Sequence, residues 1–303
     1  MKTFILPPNE KRDQISVKTK KKLGNGAFGV VYEITFHGRP SALKVVDKSN
    51  TNIDLDMLRE EIDNIEHLIK KYPKCSKNLL CYNDISEDEH NIYFISDLMM
   101  TDLSKFVESK YFVNLNLCDQ VNLMWDIVHQ ILDGLESLRR VEVIHRDIKA
   151  ENILIDKQKD KYIVKIADFG VSCQKKYCKG FAGTPLYLSP RIVFKKKIHW
   201  TYEEDLYSLG FMLYMLFTGV DLIDMEDHDR YQTENLSYVR VLSEYRKKYK
   251  ENLEMIDELK LNVVECDLST QKKMEKMIEL IKTLTVPVYK NKITISSLRK
   301  ILQ

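Results

Sequence analysis

The stretch "VIHRDIKAENIL", residues 143–154, sets His145, Arg146, Asp147, Lys149 and Glu151 between two apolar pairs. Buried charges are costly unless they have partners or a task. Further on, "KIADFGVS" ends an apolar, strand-like run on Asp168, and Gly170 allows a sharp turn. Asp147, Asn152 and Asp168 offer hard oxygen ligands and a carboxylate able to orient a hydroxyl. That set suits Mg²⁺–phosphate chemistry.

Two upstream stretches extend the same chemistry. "LGNGAFGVV" carries Gly24, Gly26 and Gly29. Glycines let backbone approach phosphates, and successive N–H groups can cradle anions. The spacing also fits a dinucleotide-binding turn, which should open a helix. Here "VVYEI" follows, β-branched and strand-like, so that reading fails. Lys44 in "SALKVV" sits inside a strand pattern, where a lone lysine is usually a solvated edge residue. In "DMLREEIDNIEHLIKK", Leu58, Glu61, Ile65 and Leu68 share one helical stripe, whereas Glu60, Asn64 and His67 share a polar one. Glu61 therefore faces inward and is free to pair with Lys44.

The elements that must position these groups form two regions. Residues up to about 95 are strand-rich with one helix, and "KKLGNGAFGVVYEITFHGRPSALKVVD" is read as three strands. From Leu103 onward helices dominate. At 303 residues the chain can bury one large core or two smaller ones. With 44% hydrophobic and 30% charged residues and a net charge of +2, its balance is that of a globular protein with no call for nucleic acid or a membrane surface. "DLYSLGFMLYMLFTGV" at 205–220 is too short for a membrane span and holds Asp205, so a buried core helix is expected. "MKTFILPPNE" is too brief for a secretory leader. Six scattered cysteines, Cys173 and Cys178 included, are expected as reduced thiols of an intracellular, cytoplasmic protein.

Glycine loop, strand lysine, helix glutamate, HRDIKAEN, DFG and an aspartate-bearing apolar helix occur in the order found in eukaryotic-type protein kinases. The chain resembles that family over residues 17–301. The resemblance implies an α+β, bilobal fold: an N-terminal extension (1–16), a small strand-rich lobe with one regulatory helix (17–96), a hinge (97–102) and a larger helical lobe (103–303). It also implies ATP and Mg²⁺ as cofactors and γ-phosphate transfer to protein hydroxyls. Asp147 would orient the acceptor hydroxyl, Lys149 would steady the γ-phosphate, and Asn152 and Asp168 would hold Mg²⁺. Lys44 would grip the α- and β-phosphates while Glu61 fixes it. His145 is expected to pack and bond backbone rather than act as a base.

By the same resemblance, the backbone of Asp97 and Met99 would bond adenine. Leu23, Val31, Ala42 and Leu154 would form its apolar walls, and Ser96 falls at the gatekeeper position. Asp102 would meet the ribose, although a helix N-terminal acid accounts for it equally well. Lys149 and Thr184, in "GTPLYLSP", match the serine/threonine class, so the partner is a protein substrate with a Ser/Thr acceptor, alongside a possible regulatory protein. A nucleotide-binding scaffold without activity is the alternative.

Three positions depart from the family pattern. Arg191 stands where the family has a glutamate, Lys292 where it has the partnering arginine, and Tyr207 where a tryptophan is common. Two cations would then repel and loosen the activation segment, unless Glu203 or Glu204 takes over as partner of Arg191 or Arg191 lies over Tyr207. Arg146 commonly binds an activation-segment phosphate in the family. Between Ser172 and Thr184 this chain offers only Tyr177 as a hydroxyl, with Lys175, Lys176 and Lys179 beside it.

Overall fold

The computed structural model describes residues 2–26, 29–50, 55–194, 198–219, 254–260, 265–285 and 293–303. The first region is a six-stranded antiparallel sheet in the order β1-β2-β3-β4-β6-β5. Its strands are β1 (Thr3–Leu6), β2 (Ile15–Gly26), β3 (Gly29–Phe36), β4 (Arg39–Asp47), β5 (Tyr82–Glu87) and β6 (Asn91–Asp97). The three strands expected between residues 21 and 47 are β2, β3 and β4. Alternation sets the two faces. Along β4, Ser41, Leu43 and Val45 are buried, while Ala42 and Lys44 face the other way and are half-buried. Leu43 and Val45 join Leu6, Val17, Ile34 and Tyr93 in a small core on one face of the sheet.

Residues 1–16, read above as an extension, supply the outermost strand: Thr3 pairs with Lys18 and Leu6 with Ile15. The single helix of this region, α1 (Leu55–Lys71), crosses the other face. It buries Leu58, Glu61, Ile65 and Leu68, the stripe its spacing predicts.

From residue 103 the chain is mainly helical: α2 (Leu103–Glu108), α3 (Lys110–Val113), α4 (Leu117–Arg140), α5 (Pro190–Phe194), α6 (Tyr202–Thr218), α7 (Leu268–Thr285) and α8 (Ile295–Ile301). Small ladders interrupt it. β7 (Thr101–Asp102), β9 (Ile153–Gln158) and β10 (Lys161–Ile166) form one, and β8 (Val143–Ile144) with β11 (Cys173–Gln174) forms another. These ladders carry the chemistry-bearing stretches. α6 is the apolar helix expected at 205–220, and Asp205 through Tyr214 are all buried. Thr201 and Glu204 close a capping box at its start, and Gly219 ends it in a left-handed conformation at φ 65°. Among the described residues no helix is long and apolar enough to cross a membrane.

The cysteines overturn an expectation. All six are paired, as Cys75–Cys81, Cys118–Cys266 and Cys173–Cys178. Their sequence spacing could not reveal the middle pair, whose members lie 148 residues apart and meet where α4 packs on α7.

Candidate active site

Lys44 leaves the face of β4 that looks toward α1, and Glu61 rises from α1 to meet it, Nζ to Oε1 at 2.8 Å. Glu61 is 1% exposed. Burial pulls the Lys44 pKa down, but Glu61 and Asp168 outweigh it and hold the ammonium above its usual value. Lys44 Nζ also stands 5.2 Å from the centre of the Phe94 ring. The result is a cation fixed by Glu61 and held under the influence of Asp168.

β8 delivers the loop 145–152. Asp147 Oδ1 accepts from both the backbone N–H (2.8 Å) and the hydroxyl (2.7 Å) of Thr184. Lys149 Nζ lies 3.0 Å from Asp147 Oδ2 and donates to Thr184 Oγ1 at 2.8 Å. Asn152 Nδ2 donates to the carbonyl and to Oδ2 of Asp147, each at 2.9 Å. Burial alone would raise the Asp147 pKa, yet Lys149, the Thr184 hydroxyl and His145 hold it below the usual aspartate value. The carboxylate stays ionised, as an acceptor for a hydroxyl proton must be.

The loop is held from beneath. Asp205 accepts from the N–H groups of His145 and Arg146, both at 2.8 Å. Burial pushes its carboxyl up to about 7 against those two donors. His145 is fully buried, bonds the Ala167 carbonyl through Nε2 at 3.0 Å, and meets Phe169 edge-on at 5.5 Å. Phe169 in turn contacts Tyr82 at 6.2 Å. Asp168 adopts φ 63° and Arg146 φ 68°, left-handed conformations that non-glycine residues rarely take. Asp168 acts on the Lys44 ammonium, and the Arg146 side chain reaches the Val171 and Lys179 carbonyls.

Strand register gathers the residues expected to meet a nucleotide. Val31 stands opposite Lys44, Lys44 opposite Phe94, and Ala42 opposite Ser96, so all share one sheet face. Gly24 pairs with Val31 and Gly26 with Gly29, while residues 27–28 at the hairpin tip lie outside the described residues. A Cβ on Gly24 would meet nothing within 4 Å. Leu23 is exposed, and Leu154 looks away from the buried Ile153 and Ile155. The Asp97 N–H is committed to the Cys81 carbonyl at 3.0 Å, and its side chain pairs with Lys165 at 2.6 Å. Met99 lies between Asp97 and Met100, whose N–H bonds the Ile155 carbonyl at 3.1 Å. Asp102 caps α2, accepting from the Lys105 N–H at 2.9 Å and meeting Lys105 Nζ at 2.6 Å. The helix-terminal role left open for it is thus occupied.

The surroundings of the site also hold features that spacing did not expose. Of the polar stripe, Glu60 is exposed, but buried Asn64 donates to the Ser172 carbonyl at 2.7 Å, and His67 meets the Val141 carbonyl at 3.0 Å. Trp200 donates to the Gly180 carbonyl at 2.9 Å and lies under the Arg146 guanidinium. Arg191 meets two carboxylates. Its Nε lies 2.7 Å from Glu204 Oε1, and Nη1 lies 3.6 Å from Glu203. Lys292 lies outside the described residues.

The family pattern described as protein kinase domain matches residues 17–301. A probable serine/threonine-protein kinase of Dictyostelium discoideum, fhkB, is 29% identical over 64% of this chain and 17% of its own length. Calcium-dependent protein kinase 4 of Plasmodium falciparum is 31% identical over 66% of this chain and 37% of its own. Dictyostelium serine/threonine-protein kinase atg1 is 29% identical over 66% and 30%. The chain thus spans less than half of the length of these relatives. With the sheet, the single helix and the helical region all in their places, this chain belongs to the protein kinase domain family.

Proposed function

We propose that the chain is an ATP-dependent protein serine/threonine kinase. The carrying observation is the closed set around Asp147: an ionised carboxylate bonded to Thr184 and Lys149, facing the fixed Lys44–Glu61 pair. In this reading Asp147 accepts the proton of the substrate hydroxyl and holds its oxygen in line with the phosphate. Lys149 balances the charge on the transferring group, and Lys44 positions the α- and β-phosphates. Positioning and charge stabilisation supply most of the rate in such transfers.

The residues fit a divalent cation. Both donors of the Asn152 amide go to Asp147, which leaves Oδ1 as its free ligand atom, and Asp168 adds a carboxylate. Two protein oxygens plus phosphate oxygens and water are what Mg²⁺ takes in such sites. Bound there, the ion neutralises phosphate charge. Val31, Ala42, Leu23 and Leu154 offer apolar walls, and Gly24 and Gly26 let backbone approach the phosphates. The carbonyl of Asp97 and the backbone of Met99 serve the adenine edge.

Preference for serine and threonine rests on Lys149 and Thr184 and on the relatives' names. A protein substrate and an ATP-holding intracellular compartment follow from the activity. The test is phosphate transfer from radiolabelled ATP with Mg²⁺ to a mixed peptide library, followed by phosphoamino-acid analysis. Label on serine or threonine, lost by about 10²-fold or more in Asp147→Asn and Lys44→Met, is expected. Label confined to tyrosine removes the class, and undiminished transfer by Asp147→Asn removes the mechanism.

A further inference from the structure

Arg146 is already engaged on all sides. Its Nε donates to the Val171 carbonyl, Nη1 donates to the Lys179 carbonyl at 3.1 Å, and its guanidinium lies over the Trp200 ring. The carboxylate of Glu60 acts on it from α1. The Lys179 carbonyl that accepts from Arg146 and the Gly180 carbonyl that accepts from Trp200 sit immediately after Cys178. Cys173 is the fixed end of the same loop: it pairs with Ile144 in the β8–β11 ladder and follows Ser172, whose hydroxyl bonds the His145 carbonyl at 3.2 Å. Cys173 is buried, while Cys178 is half-buried within an exposed turn. Their Cα atoms stand 5.4 Å apart, well within disulfide reach.

We propose that Cys173 and Cys178 form a reversible disulfide that closes the activation segment where a relative would use a phosphate. The bond ties Cys178 to the fixed ladder and so seats the Lys179 and Gly180 carbonyls on Arg146 and Trp200. From there the chain returns to the catalytic loop at Gly183, at φ 88°, where a side chain would run into the Arg146 carbonyl. The next residue is Thr184, the partner of Asp147 and Lys149. Closing the small ring thereby orders the groups that hold Asp147.

The oxidant is a small disulfide such as oxidised glutathione, an anion drawn by Lys175, Lys176 and Lys179. The Cys178 sulfur attacks one of its sulfurs and releases a glutathione thiolate. The Cys173 sulfur then attacks Cys178 in the mixed disulfide and releases the second glutathione. The cysteine pair loses two electrons and two protons, and the glutathione disulfide gains them.

The activity readout rests on the kinase reading above, whereas linkage and backbone exchange do not. The full chain is equilibrated in reduced and in oxidised glutathione buffers, quenched by alkylation, mapped by mass spectrometry and followed by amide exchange and peptide phosphorylation. A Cys173–Cys178 link, slower exchange over 175–183 and turnover at least about fivefold higher on oxidation are expected, all reversed by thiol. Cys178→Ser is expected to lose all three responses and behave as reduced wild type, while the Cys75→Ser, Cys81→Ser double variant keeps them. Cys178 carrying only glutathione, equal exchange in both buffers, lower turnover on oxidation, or a response retained by Cys178→Ser overturns the proposal. Absence of turnover in both buffers overturns the kinase reading instead, and linkage and exchange still decide the pair.

Discussion

Ser96 shows how much one side chain can set. It is buried, stands opposite Ala42 across the β4–β6 ladder, and places its hydroxyl 3.4 Å from the Asp97 carbonyl. Two small side chains thus face each other beside the residues proposed as adenine walls, and the strand behind them carries Tyr82. ATP-competitive inhibitors with a bulky aromatic extension should reach past Ser96. Ser96→Phe should weaken them by about tenfold or more through overpacking, with far less change in the KM for ATP. Equal inhibition constants for the two forms would show that Ser96 does not line the path. At this scale the sequence was informative wherever a helical or strand period could be counted. Glu61 was distinguishable from Glu60 because three apolar residues share its stripe. Asn64 was not legible as a buried donor, because a polar stripe looks the same whether it meets water or the Ser172 carbonyl.

Elements show where a local rule is replaced by a neighbour. Arg191 opens the short helix α5, and the start of α6 brings two acids to it. Glu204 is 1% exposed, and Thr201 donates its N–H and hydroxyl to the same carboxylate, each at 2.7 Å. The alternative of an acid partner for Arg191 is the one realised: its anion comes from thirteen residues downstream, while Lys292 lies outside the described residues. Arg191→Glu would gather three carboxylates around one buried site and remove the only guanidinium there among the described residues. We expect it to lower the unfolding free energy by about 3–5 kcal/mol, read from urea denaturation. Arg191→Lys keeps the charge and should cost less. A glutamate variant as stable as the parent would show the pair to be idle.

The segment before α5 carries a second expectation. Ser172 is buried and bonded through both its hydroxyl and its carbonyl, and the Thr184 hydroxyl is held between Asp147 and Lys149. Neither offers a hydroxyl to another kinase, and Tyr177, 62% exposed, is the accessible one between them. Treatment of the active protein with a broad phosphatase should leave turnover unchanged, with mass spectrometry showing residues 168–190 unmodified. Collapse of activity, restored by rephosphorylation of Ser172 or Thr184, would contradict the geometry.

Across the whole molecule, the contacts that join distant stretches are those that spacing could not forecast. The α+β division and the buried α6 helix follow from hydrophobic periodicity. The Cys118–Cys266 pair does not, nor does the seat of the N-terminal stretch. Asp84 on β5 is 3% exposed and receives Arg12 Nη2 at 2.7 Å, Arg12 Nε at 3.1 Å and Asn9 Nδ2 at 2.7 Å. Arg12 also donates to the Pro7 carbonyl at 2.8 Å and the Ser86 hydroxyl at 3.0 Å, so it ties the residues after β1 to the edge of the sheet. β5 is the neighbour of β6, which carries Ser96 and leads to Met99. Removing the guanidinium leaves a buried carboxylate with an amide as its remaining side-chain partner, a loss of about 3–5 kcal/mol. Replacing both ends with apolar groups removes the unpaired charge as well. Arg12→Met should therefore destabilise the chain more than Arg12→Met combined with Asp84→Leu, and urea unfolding of the two variants beside wild type measures the difference. If the double variant is the less stable, the brace works through something other than charge pairing.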